Sequence, residues 1–387
     1  MVWEKIIDQR EQTWGLRVLR GLLVVLSVLY GIVVRIRILA YRSRFFLRDF
    51  RLPTKVISVG NIAVGGTGKT PLVTVLAERF RSRRKRVVII SRGYKRKGKG
   101  VVVVSDGRRI LVDRARSGDE PYLFGQKLTD VPVIVGESRH LAGWVAIRDF
   151  APDVLLLDDG FQHLKLRRDL DIVVIDGSNP FGNGYLLPRG ILREPLSSLK
   201  RADVFCLTRV DQSPQLEHLR VQLRRINPRA RLIETVHRPR RLRTLGSEQE
   251  LPLAFLKGRR VFALSSLGNP GSFERTLEGL GAEIVGCVRY RDHHEYTVED
   301  LRASWQQARD VGSEGIVTTE KDIVRFPLDF DALEAHPILR VRSGQAEIPI
   351  FVLEIEMDIV AGEDVLTEVV RSLGGETQGT SRMLAAS

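Results

Sequence analysis

The residues best suited to chemistry lie in one run, Ser58-Val59-Gly60-Asn61-Ile62-Ala63-Val64-Gly65-Gly66-Thr67-Gly68-Lys69-Thr70. A short apolar strand, Lys55–Ser58, leads into it, and an apolar-periodic helix, Pro71–Phe80, follows. Strand, glycine-rich loop, Gly-Lys-Thr and helix together read as a phosphate-binding P-loop. Gly65, Gly66, Thr67 and Gly68 let consecutive backbone N–H groups converge on phosphate oxygens, and the helix N-terminus adds partial positive charge. Lys69 is placed to reach the β- and γ-phosphates of a nucleotide, and Thr70 to put its hydroxyl on Mg²⁺. One position departs from the usual pattern: Ala63 stands where the first glycine is expected. The alternative, an ordinary glycine-rich turn, does not account for the agreement of strand, loop and helix.

Val154-Leu155-Leu156-Leu157-Asp158-Asp159-Gly160 is an apolar strand ending in two acids. A carboxylate at a strand tip beside a P-loop can complete the Mg²⁺ shell, while a second orients the site. An Asp-Gly turn after a buried strand is the simpler alternative. In Phe161-Gln162-His163, His163 can contact nucleotide or substrate, or cap the loop. Gly118-Asp119-Glu120-Pro121 places acids at a helix start, which the helix dipole favours in any case. Asp119 is also suited to act on a hydroxyl nucleophile, as kinase carboxylates do. Ser91-Arg92-Gly93-Tyr94 ends a strand, where open α/β sheets hold ligands. Arg193 and Glu194 form a pair in Gly190-Ile191-Leu192-Arg193-Glu194-Pro195. Asp292-His293-His294 could be a polarised base or a metal site, although no third ligand has suitable spacing. Thr208-Arg209-Val210-Asp211 loosely matches the guanine-reading segment of GTPases, a match that arises easily by chance.

Elements must position these groups. From Lys55 to about Gly177, apolar runs at 56–59, 87–90, 131–135, 154–157 and 172–175 alternate with helical patterns such as 119–128 and 139–150. That alternation predicts an α/β fold with a mostly parallel sheet covered by helices. Residues 178–200 are too irregular for one element and long enough to be a functional loop. A second, smaller α/β block follows, with strand patterns at 204–207, 261–265, 284–288, 315–318 and 350–355 and helical ones at 215–226, 271–280 and 297–311. Thr297 with Asp300 reads as an N-cap and first-turn acid. The expected domains are therefore 1–45, an apolar and basic N-terminal helix; 46–200, the nucleotide-binding domain; 201–362, the second α/β domain; and 363–387, a helix end with a small, polar tail.

The N-terminal segment Gly21–Val34 is apolar and edged by Arg17, Arg20, Arg35 and Arg37. As a helix it measures about 21 Å, short of the roughly 20 residues that span a bilayer. A helix lying in the interface, its arginines meeting anionic headgroups, fits better than a cleaved signal peptide. A buried core helix remains the alternative. The runs 81–86 and 95–99 are nearly all basic and read either as solvated surface or as an anion-facing rim. Across 387 residues, 61 Lys and Arg against 47 Asp and Glu give a net charge of +14. An anionic partner is implied, and nucleic acid, anionic lipid and a phosphorylated substrate share that sign. Cys206 and Cys287 stand alone in apolar runs and read as buried thiols in a reducing compartment.

SVGNIAVGGTGKTP, SRGY, GDEP, LLLDDGFQH, GILREP, RDHHEY and TTEKD stand in this order over roughly residues 15–360. As a set they resemble the tetraacyldisaccharide 4′-kinase family of lipid A biosynthesis, whose loop also lacks the first P-loop glycine. The resemblance implies a two-lobed α/β kinase with its site in the cleft. It also implies transfer of the ATP γ-phosphoryl group to the 4′-hydroxyl of a tetraacyldisaccharide 1-phosphate, with Mg²⁺. The implied setting is the cytoplasmic face of the bacterial inner membrane, peripheral or monotopic. Carried over, Lys69 and Thr70 hold phosphates and Mg²⁺, and Asp158 and Asp159 serve the metal and phosphate region. Asp119 with His293 activates the sugar hydroxyl. Arg92, Tyr94, Glu120, His163, Arg193 and Glu194 are candidate substrate contacts. A glycolipid substrate and an anionic membrane surface are the expected partners, and nucleic acid is not, since charge alone supports it. The competing class, a membrane-associated P-loop switch or partitioning ATPase, expects a second lysine early in the loop, and Ala63–Val64 supplies none.

Overall fold

Parallel strands buried on both faces require near-continuous apolar runs, and the block after residue 54 supplies them. The computed structural model describes residues 14–43, 49–247, 250–327 and 348–373. The polar tail expected at 374–387 lies outside the described residues. The chain divides into two compact units, 1–236 with 359–387, and 237–358.

The first unit holds β1 (Lys55–Gly60), β2 (Val87–Ser91), β3 (Val102–Ser105), β4 (Val133–Val135), β5 (Val154–Asp158), β6 (Leu170–Asp176), β7 (Val204–Thr208) and the start of β8 (Arg231–Thr244). Their spatial order is β8-β7-β6-β1-β5-β2-β4-β3. Neighbours are parallel except the edge pair, β3 antiparallel to β4. The register Val59↔Asp158 sets the end of β1 beside the acidic tip of β5. Glycine loop and acids therefore emerge side by side at the C-terminal edge, where such sheets bind ligands. One face packs Val88, Ile90, Leu155 and Leu157 against Ala142 and Ala146 of the helix Arg139–Phe150. On the other face Val173, Ile175, Phe205 and Leu207 pack with Leu219 and Leu223 of the helix Leu216–Ile226.

The expected break at residue 200 falls inside this unit. β7 pairs in parallel with β6 from Ile172↔Val204 to Asp176↔Thr208, so the sheet continues past it. β8 reads poorly as a strand because His237–Arg241 is almost wholly basic and carries a proline. Glu354, Glu356 and Asp358 supply the compensation by pairing with Arg243, Arg240 and Arg238.

In the second unit β10 (Arg260–Ser265), β11 (Glu283–Arg289), β12 (Gly315–Thr319) and β13 (Ile350–Ala361) run parallel in the order β11-β10-β12-β13. The short β9 (Glu250–Leu251) pairs antiparallel with the end of β8. Helices Pro270–Gly279 and Val298–Asp310 cover the sheet. The second helix begins with a full capping box: Thr297 Oγ1 accepts from the Asp300 amide, and the Asp300 carboxylate accepts from the Thr297 amide. Cys206 is buried as expected, but Cys287 lies on the edge strand β11 and is exposed.

The N-terminal helix is longer than its apolar run, Trp14–Arg42, 29 residues or about 43 Å. By length and composition it is able to cross a membrane, so the expectation that it is too short does not hold. Arginines at its ends keep helical geometry and extend the element past the apolar core. It docks through an unusual face. Ser27 donates to the Leu186 carbonyl and Tyr30 to the Arg193 carbonyl, and Arg37 donates to the Gln162 carbonyl. Leu22, Val25, Val28, Leu29, Val33 and Ile36 are exposed.

Candidate active site

The helix after the glycine loop begins at Lys69, two residues before the expected start, and runs to Ser82. Pro71 is accordingly its third residue, where a missing N–H costs no intrahelical bond. Gly65 and Gly68 have φ of 117° and 93°, which allows the loop to turn its amides inward. Ala63 needs no such freedom. It bridges Leu192 of the irregular loop, and its carbonyl accepts from Asn61 Nδ2 at 2.6 Å. Val64 N–H donates to the Ile191 carbonyl and Arg193 N–H to the Ile62 carbonyl, so the 178–195 loop buttresses the cradle.

Two residues at the end of β7 hold the cradle from its other side. Thr208 Oγ1 donates to the Thr67 carbonyl at 2.8 Å. Arg209 donates from Nη2 to the Gly66 carbonyl at 2.8 Å and from Nη1 to Asp176 at 2.6 Å. These contacts fix loop carbonyls outward, which leaves the amides for an anion. In the sequence this segment showed only a loose GTPase likeness. A pointer was available all the same, in a polar Thr-Arg step at a buried strand's C-terminal end.

The acids stand over the loop. Asp158 is fully buried and Oδ2 accepts from Ser91 Oγ at 2.9 Å, while Oδ1 has no hydrogen-bond partner. Burial, reinforced by Glu120 and Asp159, pushes its carboxyl well above the usual range. Asp159 adopts φ 53° and accepts from Arg193 Nη1 at 2.8 Å, with Lys69 Nζ 3.8 Å away. Burial alone would raise Asp159, but Lys69 and Arg193 hold it below the ordinary value. A left-handed aspartate is tolerated more readily than most residues and recurs at functional sites. Gly60 explains how close the motifs lie: a Cβ there would sit 2.6 Å from the Phe161 nitrogen. Buried Arg139, at the start of its helix, feels Asp159 and Asp158 as stabilising charges and Arg92 as a repelling one. The sequence named Asn61, Ser91, Thr208 and Arg209 only as members of their motifs, without these roles, and did not single out Arg139.

The other candidates fall into place around this core. Gly93 and Gly118 approach closely, so SRGY packs on GDEP. Arg92 and Tyr94 are exposed there. Asp119 opens the helix Asp119–Lys127 and pairs with Arg114 at 3.1 Å. Gln162 Nε2 donates to the Asn61 carbonyl, tying the segment after the acids to the loop. His163 is half-buried and its Nε2 has no hydrogen-bond partner. Glu194 is buried and paired with Arg201, which also lies 4.2 Å from the Phe161 ring, so its carboxylate is engaged in the fold. In the basic runs, Arg96 turns inward to Glu137, and its neighbours Lys95, Lys97 and Lys99 stay exposed. In the second unit His293 adopts φ 60°, with Asp292 3.9 Å from its Nε2. Among the described residues no cluster of three or more His, Cys, Asp or Glu side chains forms a metal site, which leaves Asp292-His293-His294 without a third ligand.

The cradle accepts phosphate by its glycine geometry. The unpartnered Asp158 Oδ1, with the Thr70 hydroxyl, fits a hard cation that takes oxygen ligands.

Comparison with known proteins agrees with this geometry. The family model for tetraacyldisaccharide-1-P 4′-kinase matches residues 19–372. A tetraacyldisaccharide 4′-kinase of Halothermothrix orenii is 42% identical over 321 residues, 80% of this chain and 83% of the relative. The Syntrophus aciditrophicus enzyme of the same name is 42% identical over 324 residues, 81% and 86% of the two chains. A crystal structure of LpxK from Aquifex aeolicus in complex with ATP superposes with a TM-score of 0.68 at 32% identity, covering 92% of this chain and all of that one. With the glycine cradle, the paired acids and a match across nearly all of its length, the chain belongs to the tetraacyldisaccharide-1-P 4′-kinase family.

Proposed function

We infer that this protein transfers the γ-phosphoryl group of ATP to the 4′-hydroxyl of a tetraacyldisaccharide 1-phosphate, giving the bis-phosphorylated lipid A precursor. The observation that carries this is the convergence of Lys69, Asp158 and Asp159 on the glycine cradle, in a chain of this family.

Backbone amides of Gly65–Thr70 bind the phosphates, and Lys69 neutralises charge toward the β- and γ-positions. Lys69 Nζ lies 3.8 Å from Asp159, a carboxylate that steadies the lysine at the mouth of the cradle. Mg²⁺, when bound, screens the phosphate charge and polarises the transferred group. Thr70 and Asp158 would hold it, with Asp159 oriented by Arg193. Asp119 takes the proton of the 4′-hydroxyl as its oxygen bonds to phosphorus and the bond to the β-phosphate bridging oxygen breaks. His293 assists that carboxylate. Arg92, Tyr94, Glu120 and His163 contact the sugar phosphate, and Arg193 with Glu194 supports the loop beside it.

The substrate is presented by a membrane. The helix Trp14–Arg42 turns its apolar side chains outward, and its arginines suit an anionic headgroup layer. We place the protein on the cytoplasmic face of the inner membrane, held there by this helix. Purified protein, radiolabelled ATP and a mixed lipid extract test the whole reading. Label moves into lipid if it is right, and appears only as free phosphate if the chain is a switch-type ATPase.

A further inference from the structure

Ser27, Gly31 and Val34 are the buried positions of the N-terminal helix and form an i, i+4, i+7 stripe along it. Ser27 and Gly31 are small enough to let the helix lie close to the 178–195 loop: a Cβ on Gly31 would sit 2.8 Å from Leu186 Cδ1. Ser27 Oγ donates to the Leu186 carbonyl at 2.8 Å and accepts the Arg189 amide at 3.0 Å. One hydroxyl thus ties both ends of the turn 186–189. About one helical turn further on, Tyr30 Oη donates to the Arg193 carbonyl at 3.0 Å.

Arg193 is where this helix, the glycine cradle and the acids meet. Its amide donates to the Ile62 carbonyl at 2.7 Å. Its guanidinium reaches Asp159 Oδ1 at 2.8 Å and Asn61 Oδ1 at 3.3 Å. Asn61 in turn donates to Thr67 Oγ1 at 3.0 Å, inside the cradle. The carbonyl of the same arginine is the group that Tyr30 holds. The segment 185–193 contains turns and single bridges but no helix or strand to set its path. Such a segment keeps one course only where neighbouring groups tie it down, and it opens easily where they do not.

We propose that Ser27 and Tyr30 are positioning residues for phosphoryl transfer: they hold the 186–193 segment so that the Arg193 guanidinium stays on Asp159 beside the nucleotide cradle. The helix is then part of the catalytic scaffold in its own right, apart from any contact with lipid. The importance of Arg193 and Asp159 to the reaction rests on the function proposed above; the hold on the segment rests on the hydrogen bonds of Ser27 and Tyr30.

Amide hydrogen exchange on the full chain reads the hold directly. Tyr30→Phe deletes one hydroxyl, and Ser27→Ala deletes a donor and an acceptor. Both should speed exchange in peptides covering 61–64 and 186–193 and leave those covering β6 unchanged. Unaltered exchange in both variants overturns the proposal, whatever the enzyme phosphorylates. A neutral hydrogen bond is worth about two- to tenfold in an equilibrium. With substrate dispersed in detergent micelles, Tyr30→Phe should therefore lower kcat about threefold and Ser27→Ala about tenfold, with smaller changes in KM for ATP. Both variants should bind anionic vesicles as wild type does. Full turnover in micelles, with losses confined to vesicles, would make the helix a membrane contact alone, against the proposal. A double-mutant cycle separates positioning from plain support. In Arg193→Ala, which has already lost the guanidinium, Tyr30→Phe should cost no further turnover; multiplicative losses would overturn the proposal. Wild-type protein that moves no label into lipid would instead end the kinase reading, while exchange still decides what Ser27 and Tyr30 do.

Discussion

Lys69 and Arg193 share one carboxylate, Asp159, and the two cations keep it charged despite its burial. Lys69 opens the helix after the loop, outside the apolar core, and Arg193 stays on Asp159 without it, so Lys69→Ala should leave the urea midpoint nearly unchanged. It should lower turnover by at least about 10²-fold. Unchanged turnover would remove the loop from the chemistry. His163 offers a pH handle on the same segment. Burial, with Arg139 adding repulsion, pushes it down to about 4. The unfolded chain binds the proton near 6.5, so between these values only the unfolded state is protonated. Stability from this group is complete above about pH 6.5 and is lost as pH falls toward 4, on the order of 1–2 kcal/mol after allowance for partial exposure. Urea melts across that window should be flatter for His163→Gln than for wild type. Identical slopes would mean that another group carries the effect.

At the scale of elements, the end of β7 shapes a loop 141 to 143 residues earlier in the chain. Arg209→Ala takes away the Asp176 partner and the clamp on the Gly66 carbonyl. It should cost about 3 kcal/mol in unfolding and weaken ATP binding measured by calorimetry. Thr208→Val, which removes one hydrogen bond to the Thr67 carbonyl, should cost about 1 kcal/mol. ATP affinity untouched by either change would show that the cradle keeps its shape alone. The N-terminal helix inverts the ordinary amphipathic arrangement, with Ser27, Gly31 and Val34 buried against the protein and its large aliphatics outside. An exposed apolar surface of this extent marks an interaction face.

At the scale of the whole molecule, a net charge of +14 and the exposed helix argue for a surface-bound enzyme. Deleting residues 1–38 should weaken binding to anionic vesicles and slow turnover on membrane-presented substrate more than it alters ATP affinity. Salt should loosen the full chain's association, since about 1 kcal/mol per basic residue near such a surface is screened within a Debye length. Equal vesicle binding by the truncated protein would move the membrane contact elsewhere. Asp119 lies in the first unit and His293 in the second. If they act together, Asp119→Ala and His293→Ala should each lower turnover about 10²–10⁴-fold with little effect on ATP affinity. The double variant should then cost about as much as the worse single one. Fully multiplicative losses would separate their roles.

Local signals wrote much of this into the sequence. Strand, loop and Gly-Lys-Thr are contiguous, so the cradle is legible from Ser58 to Thr70, and Asp158-Asp159 is legible because a buried parallel strand leaves so clear an apolar run before it. The capping box at Thr297 is equally local. Tertiary structure decided what depends on partners far along the chain. Arg139, Thr208, Arg209 and Arg325 look like ordinary surface residues until burial and distant carbonyls or acids give them partners. β8 is a strand despite its arginines because acids on β13 neutralise them. The apolar run of the first helix announced an interface, but only docking through Ser27, Tyr30 and Arg37 fixed which face remains outside, because the hydrogen bonds that choose it end on residues about 125 to 163 positions away.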